Sequence, residues 1–529
     1  MSIEMAPQSN GKPSKRIAAI DLGTNSFHAV IVDIYPDGSF RTLDKLKEMV
    51  DLAKEGIGER LSEEAMARGI ESLKKIVLLC EHQGVERILA YATSAIREAE
   101  NGGAFMQRVI DELQFKAHVI SGKMEAELIG HAVQHAVYLG DQKALTIDIG
   151  GGSVEFSLLD SSNFYYVTSR KIGVTRMLNR FVKNDPIKKS EIEALESFYR
   201  DQISDVAEAF ARNRTDLLVG SSGTMENIAE MLAADQKVDP SITLNEFEYT
   251  ADEFFEFYDK FIKLNHKQRL KVDGLEKKRA DMIVPGMVLV RMLLKDFELK
   301  RVKTSTEALR EGIILKHIKD DQHKLKHLAD FPEPRRRSVF ELLRKCNWHE
   351  AHSRRVTGIA LQLFDETKQL HELDDNYREL LEYASLMHDI GYHISHRKHH
   401  KHALYIIRNS ELMGFKDWEI EVMANLARYH RRSTPKKRHK YFHQLDDEAK
   451  DAIRKLAGIL RVADGLDRSH FQNVKNIDLH ITKKKVKLNI EVEEDPKLEI
   501  WGASRKKELF EEMTNRELVI EPQPAFQVM

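Results

Sequence analysis

Residues 147–160 read IDIGGGSVEFSLLD, and residues 20–33 read IDLGTNSFHAVIVD. The two segments lay over one another without a gap, in the frame Ile-Asp-x-Gly-x-x-Ser followed by an apolar run that closes on Asp. Each reads as a strand ending in an acid, a tight loop and a second strand, and the recurrence implies two related halves. Gly150, Gly151 and Gly152 remove side chains that would hold a phosphate away from the main chain, and they allow the φ values of a phosphate-cradling turn. Gly23, Thr24, Asn25 and Ser26 fill the same place in the first copy, where the hydroxyls of Thr24 and Ser26, like that of Ser153, add donors. Asp21 and Asp148 would repel phosphate. They make sense as ligands of a divalent cation, Mg2+ above all, that bridges carboxylate and phosphate oxygens. A glycine triplet alone is most often only a turn; the second copy favours a clamp with two jaws. One position differs in kind, because His28 stands where Glu155 stands. A second acid can order metal or water, whereas His28 packs or donates to a phosphate. Asp33 and Asp160 read as strand-end turn residues.

From Ile17 to Ile318, strand-like runs alternate with helical stretches such as LSEEAMARGIESLKKIVLLCEHQG, the pattern of α/β architecture. Three further strand ends carry candidate chemistry. ATSAIREAEN (92–101) places Thr93 and Ser94 at a strand end and Arg97 one turn into a helix, where a helix N-terminus and a guanidinium can meet an anion. ISGKMEAELI (120–129) puts Glu125 at a helix start after a strand, and VGSSGT (219–224) repeats the design with Gly223 and Thr224. For each of these alone a helix cap is an equal reading; their joint placement at strand ends favours a site.

The expected organisation is a loose N-terminus over 1–15, halves at 16–135 and 136–318 with the last helix allowed to return to the first half, and a linker over 319–337 around Pro332 and Pro334. In SVFE, Ser338 and Glu341 form a capping-box pattern that starts a helix. An all-α domain then spans 338–472, and a small α/β domain with period-two strands, a helix near 504–515 and a last strand LVIE spans 473–529. In the helical part, His352, the pair His388-Asp389 and Asp464 sit on apolar-faced helices, and burying them demands compensation. Imidazole and carboxylate are proper ligands for Mn2+, Fe2+ or Mg2+. His430 is a further candidate ligand or phosphate contact. The runs RKHHKH (397–402) and RRSTPKKRHK (431–440) read as solvated faces or, together, as a track for a polyanion.

The composition narrows the classes. A chain of 529 residues with 42% hydrophobic and 31% charged residues is ordinary globular protein of several domains. Its 82 basic and 84 acidic groups nearly cancel, so no global field announces a nucleic-acid binder. The two cysteines, Cys80 and Cys346, lie far apart and fit a reducing compartment. The polar N-terminus and the lack of an apolar run of about 18 residues lead to the expectation of a cytoplasmic protein.

DLGTNSFH, ATSAIREAEN, ISGKMEAELI, IDIGGGSVE, VGSSGT, RADMIVPG and EALREGIIL occur in that order. This set resembles the exopolyphosphatase and guanosine pentaphosphate phosphohydrolase (Ppx/GppA) family over residues 16–318. The resemblance implies two ribonuclease-H-like domains of the actin, heat-shock chaperone and sugar-kinase type, flanking a cleft where water attacks a terminal phosphoryl group. It implies Glu125 as general base, Asp148 as a Mg2+ ligand, Glu155 as an assistant that orients water or metal, and Arg97, the two loops, Gly223 and Thr224 as phosphate holders. It also implies a homodimer. One departure is Met124, which stands where the family often has a first glutamate of a pair. Over 338–472, the His, His-Asp, Asp set resembles the HD superfamily of metal-dependent phosphohydrolases. The function expected is exopolyphosphatase, with guanosine pentaphosphate hydrolysis as the alternative. A kinase or chaperone of the same fold group, and a nucleotide-binding regulator whose HD-like domain does the chemistry, are the competing readings.

Overall fold

Both copies of the repeated frame are hairpins, and the two share one register. β1 (Lys15–Leu22) and β2 (Ser26–Ile34) pair antiparallel with Asp21 opposite His28. β3 (Phe40–Met49) extends the antiparallel side, while β4 (Arg87–Ala92) and β5 (Ala117–Val119) add in parallel beyond β1, in the order β3-β2-β1-β4-β5. β6 (Ala144–Ile149) and β7 (Val154–Leu159) repeat the hairpin with Asp148 opposite Glu155. With β8 (Phe164–Arg170), β9 (Leu217–Ser221), β10 (Glu248–Thr250) and β11 (Arg301–Thr304) they form the order β10-β11-β9-β6-β7-β8. From β8 through β11 this is the first sheet over again, with β10 as an added antiparallel edge. All six residues of β6 are buried, as a strand covered on both faces requires. The edge strand β3 is half exposed along its length.

This computed structural model describes residues 13–35, 38–52, 60–238, 244–320, 333–346 and 348–522. The chain divides into two compact units, Met1–Pro334 and Arg335–Met529. Residues 1–12 of the expected loose N-terminus and 321–332 of the expected linker lie outside the described residues.

In the first unit the helix Gly122–Ala136 lies between the two sheets. Its N-cap, Ser121, accepts a hydrogen bond from the Met124 N–H. On one side Leu128 and Ile129 join Ile17 and Val30 of the first sheet in a single cluster. On the other, Gly130 lies so close to β8 that a Cβ there would meet Phe164 Cε1 at 2.3 Å. The helix Leu309–Asp320 returns to this cluster through Leu309, Ile313 and Ile314. Gly312 permits the contact, since its Cβ would lie 2.1 Å from the Leu128 carbonyl oxygen. Asp33 corrects the turn reading: one residue before the end of β2, it is buried and held by Arg16 Nε at 2.7 Å and Arg41 at 3.4 Å. Asp160 does organise a turn, accepting from the N–H groups of Ser162 and Asn163.

The second unit is built on the helices Glu350–Glu366, Asp375–Met387, His399–Arg408, Asp417–Tyr429 and Asp447–Leu466. The capping-box reading of Ser338 is corrected. The first helix here runs Pro334–Lys345, and the Ser338 hydroxyl donates to the carbonyls of Arg335 and Met413 from inside it. The expected helix near 504–515 is two, Lys497–Ser504 and Glu508–Thr514, and both pack on Asp447–Leu466. Gly458 and Gly465 make that approach possible, a Cβ on Gly465 falling 2.4 Å from Ala503 Cα. β12 (Val474–Ile481), β13 (Lys485–Val492) and β14 (Glu517–Pro522) form a three-stranded sheet in that order. Cys80 and Cys346 are both free and buried. Among the described residues no helix is long and apolar enough to cross a membrane.

Candidate active site

The two loops of the repeated frame meet face to face in the first unit. A Cβ on Gly152 would lie 2.4 Å from Ser94 Oγ and 3.1 Å from Thr24 Oγ1, and one on Gly151 would lie 2.7 Å from Asn25 Nδ2. Only glycine allows this closeness. Asn25 Nδ2 also donates to Thr175 Oγ1 at 3.3 Å, so the jaws are joined across the halves. The glycine loop is anchored from behind: the carbonyls of Gly150, Gly151 and Gly152 accept from the N–H groups of Val174, Thr175 and Gly173.

Four carboxylates gather at the mouth of these loops. Glu125, Asp148 and Glu155 are buried and Asp21 is half-buried, and the charges of Glu125 and Asp148 each raise the proton affinity of other members of the set. Burial, then the charge of Glu125, pushes Asp21 up to about 8. Burial also pushes Glu125 up to about 7, against the pull of Arg97, whose guanidinium donates to Glu125 Oε2 at 2.8 Å. Asp148 and Glu155 are raised by burial, although Ser221 donates to Asp148 at 3.0 Å and Ser169 to Glu155 at 2.7 Å. Asp21 Oδ1 is buried and has no hydrogen-bond partner. A set of acids that resists ionisation together, with an orphaned carboxylate oxygen, fits a hard divalent cation with oxygen ligands. The residues present therefore suit Mg2+.

That electrostatics has a measurable consequence. Without a cation, the folded chain holds protons on Glu125 and Asp21 up to about 7 and about 8, against ordinary values of 4.5 and 3.8. The folded state then binds more protons than the unfolded state between those limits, so stability contributed by the protonated acids is lost as pH rises through that window. Thermal melting in a chelator is expected to fall by several degrees from pH 5.5 to pH 8, and millimolar Mg2+ to recover it at pH 8 but not at pH 5.5. Equal Mg2+ effects at both pH values would contradict the cluster.

Several of the expected phosphate-binding hydroxyls are committed elsewhere. Thr93 Oγ1 donates to the Leu22 carbonyl, Thr224 Oγ1 to the Ile149 carbonyl and Ser94 Oγ to Glu98. Ser26 Oγ lies 2.7 Å from His28 Nε2, and Ser153 sides with Glu155. Gly223 lies against the Arg279 guanidinium, 2.0 Å from a Cβ built there. Sequence reasoning missed the basic wall of the cleft. Burial lowers His28 to about 3, reinforced by the charges of Arg310, Lys47, Arg279 and Lys278, which places these four cations around it. Arg279 and Arg310 lie inside quoted motifs, RADMIVPG and EALREGIIL, which were the available signal. Lys47, on the half-exposed β3, offered none.

In the second unit, His352, His388, Asp389 and Asp464 are brought together. The Nε2 atoms of His352 and His388 are 3.3 Å apart, and both face Asp389 Oδ2, at 3.7 and 3.5 Å, and Asp464 Oδ1, at 3.7 and 3.9 Å. His430 joins them, 3.5 Å from Asp389 Oδ1. So does His399, which was read as part of a basic run; it and His400 are buried.

Comparison with known proteins finds family matches in both units. Residues 30–321 match the profile of the Ppx/GppA phosphatase family, and residues 335–501 match that of Ppx/GppA phosphatase, domain III. The crystal structure of an exopolyphosphatase from Cytophaga hutchinsonii is similar at 31% identity and a TM-score of 0.55, over 59% of this chain and 100% of that one. The Aquifex aeolicus Ppx/GppA family member is similar at 27% identity and a TM-score of 0.51, over 59% and 99%.

Proposed function

The chain belongs to the Ppx/GppA phosphatase family, and from that premise we propose that this phosphoanhydride hydrolase is an exopolyphosphatase, releasing orthophosphate from the end of inorganic polyphosphate. One observation carries the reading: a cleft with four crowded carboxylates at the loops, three of them buried, and four cations around His28. The first set suits a cation and a water; the second suits a chain of repeating negative charge. The similarity to a protein named exopolyphosphatase supports the same substrate.

Asp21, Asp148 and Glu155 would hold Mg2+, which when bound would neutralise charge on the phosphoryl oxygens. Glu125 orients the attacking water and accepts its proton. The helix that starts at Ser121 places Glu125 in its first turn, where the dipole offsets part of the burial penalty on the carboxylate. Arg97 holds Glu125 in place and is near enough to share its charge with a phosphate. The loops at 23–26 and 150–153, with Thr93, Ser94, Gly223 and Thr224 framing them, cradle the terminal phosphates. Arg310, Arg279, Lys278 and Lys47 carry the following ones. Guanosine pentaphosphate presents the same terminal anhydride and is the second substrate to assay. Orthophosphate release from polyphosphate with no nucleotide present tests the proposal; release only from guanosine pentaphosphate would shift it to that substrate, and nucleotide-dependent phosphoryl transfer would replace it with a kinase.

In the helical unit, His352, His388, Asp389 and Asp464 would hold a further divalent ion, Mn2+, Fe2+ or Mg2+. Exposed Lys436, Lys437, Arg438 and Lys440 offer a basic track of their own for a long polyanion. Neutralising all four is expected to weaken binding of long polyphosphate at low salt and to flatten the dependence of log Kd on log salt by up to about 3. An unchanged slope in a salt titration would reject the track.

A further inference from the structure

Ser94, Glu98, Arg176 and Gly152 form a closed ring where the loop at 150–153 meets the first half of the unit. The Ser94 hydroxyl donates to Glu98 Oε1 at 2.8 Å, and Glu98 Oε2 accepts from Arg176 Nη2 at 3.0 Å. Arg176 Nε donates in turn to the Gly152 carbonyl at 3.2 Å, and Gly152 lies so near Ser94 that a Cβ on it would meet Ser94 Oγ at 2.4 Å. Lys171 Nζ reaches the same Glu98 oxygen at 3.0 Å. Ser94 and Glu98 stand on the short helix that follows β4; Gly152, Lys171 and Arg176 come from the glycine loop, from just past β8 and from the helix Val174–Phe181. The ring therefore crosses the cleft from one half to the other.

Its acid is costly to leave unpaired. The Glu98 side chain is 6% exposed and that of Arg176 22%, whereas Lys171 is 70% exposed, so the weight of the contact falls on Arg176. Although burial works against ionisation, the bonds from Ser94 and Lys171 and the charge of Arg176 hold Glu98 below its ordinary value, and it is a carboxylate at neutral pH. Pulling the halves apart would strand that buried charge, a larger loss than breaking a surface ion pair. The neighbouring bond across the halves, Asn25 Nδ2 to Thr175 Oγ1 at 3.3 Å, is neutral and long. Glu98 has no place among the groups that touch phosphate, because its charge would repel one and its two oxygens already serve three donors.

We infer that Glu98 is a positioning residue for the cleft: its ion pair with Arg176, backed by Lys171, holds the loop at 150–153 against Ser94 at the spacing that grips a terminal phosphate before substrate arrives. The role rests on the reading of the cleft as the hydrolytic site. Without the pair the halves spread, only a fraction of the chains has the loops at gripping distance, and apparent affinity falls by that fraction. Substrate, once bound, draws the loops together, so the chemical step is spared.

The test measures orthophosphate release from polyphosphate by full-length variants. Gln at position 98 keeps the volume and an oxygen for Ser94 and removes only the charge. Glu98→Gln and Arg176→Gln are each expected to raise KM about tenfold with kcat within about twofold, as for a closed population that falls from most of the chains to about a tenth. The double variant should also show about tenfold and not about a hundredfold, because either change breaks the same pair. Lys171→Ala, at an exposed site that does not endanger folding, should raise KM about threefold. The spacing itself is read by pulsed electron paramagnetic resonance between nitroxides on Glu71→Cys and Lys189→Cys, exposed positions on the first and second halves, with the buried native cysteines left in place and the labelled chain diluted with unlabelled chain. The chain with Glu98 intact should give one distance. Glu98→Gln should add a longer one, and tripolyphosphate with Mg2+, in a chain that also carries Glu125→Gln, should remove it. An unchanged KM in Glu98→Gln, multiplying effects in the double variant, a loss confined to kcat, or identical ligand-free distances with and without Glu98 would each overturn the latch. Normal orthophosphate release by Glu125→Gln would overturn the reading of the cleft, and the ligand-free distances would still decide the latch, so the two failures are distinguishable.

Discussion

Glu125→Gln is expected to lower kcat on polyphosphate by about 10²–10⁴ while leaving KM close to that of the unaltered chain. Gln keeps the shape and the oxygen that accepts from Arg97, so the ion-paired guanidinium loses charge complementarity but not its bond. What disappears with the carboxylate is its capacity to take a proton from water, which a neutral amide lacks. The pH profile separates this from a structural loss. Glu125, pushed up to about 7 by burial, works as a base only when ionised, so kcat/KM rises as pH passes through its pKa, at lower pH when Mg2+ is bound. The variant should lose that rising limb. Its melting temperature in a chelator should not fall, because a buried acid has been replaced by a neutral group. Full activity in an orthophosphate-release assay would remove Glu125 from the mechanism.

Asp148→Asn should show two effects of opposite sign. Hydrolysis is expected to drop by about 10²–10³ and to stay low at any Mg2+ concentration, because a charged ligand that offsets charge in the transition state is gone. The cation-free protein, in contrast, should melt at a higher temperature at pH 8, since one of the crowded acids no longer has to ionise. Asn still offers an oxygen to the Ser221 hydroxyl, so the packing at the strand end is retained. A lower melting temperature with normal activity would make Asp148 a hydrogen-bond acceptor of the sheet and nothing more.

The repeated frame was legible for a physical reason. A short loop between antiparallel strands sets their register, so the matching frames at 20–33 and 147–160 fold into matching hairpins, in which Asp21 faces His28 as Asp148 faces Glu155. The α/β alternation and the helical second unit follow from periodicity in the same way. The basic wall of the cleft was not legible. Arg310 reaches Asp21 and Glu226 only because the helix Leu309–Asp320 packs back on the first sheet, a contact between segments nearly three hundred residues apart. His399 was hidden for the opposite reason: RKHHKH looks uniformly solvated, and only the helix beginning at His399 turns two of its imidazoles inward. Asp33 looked like a turn residue because Arg16, which neutralises it, sits on the neighbouring strand. Ser338 had the right partner three residues on, but the helix had already begun at Pro334.

The helix Gly122–Ala136 touches the first sheet through Leu128 and Ile129 and the second through Gly130. It works as a shared axle. Any motion that spread the two lobes would have to strip the helix from one sheet or the other, and Glu125 sits at its end. Opening the cleft would therefore move Glu125 against one sheet or the other, so the position of that carboxylate is tied to the spacing of the two lobes.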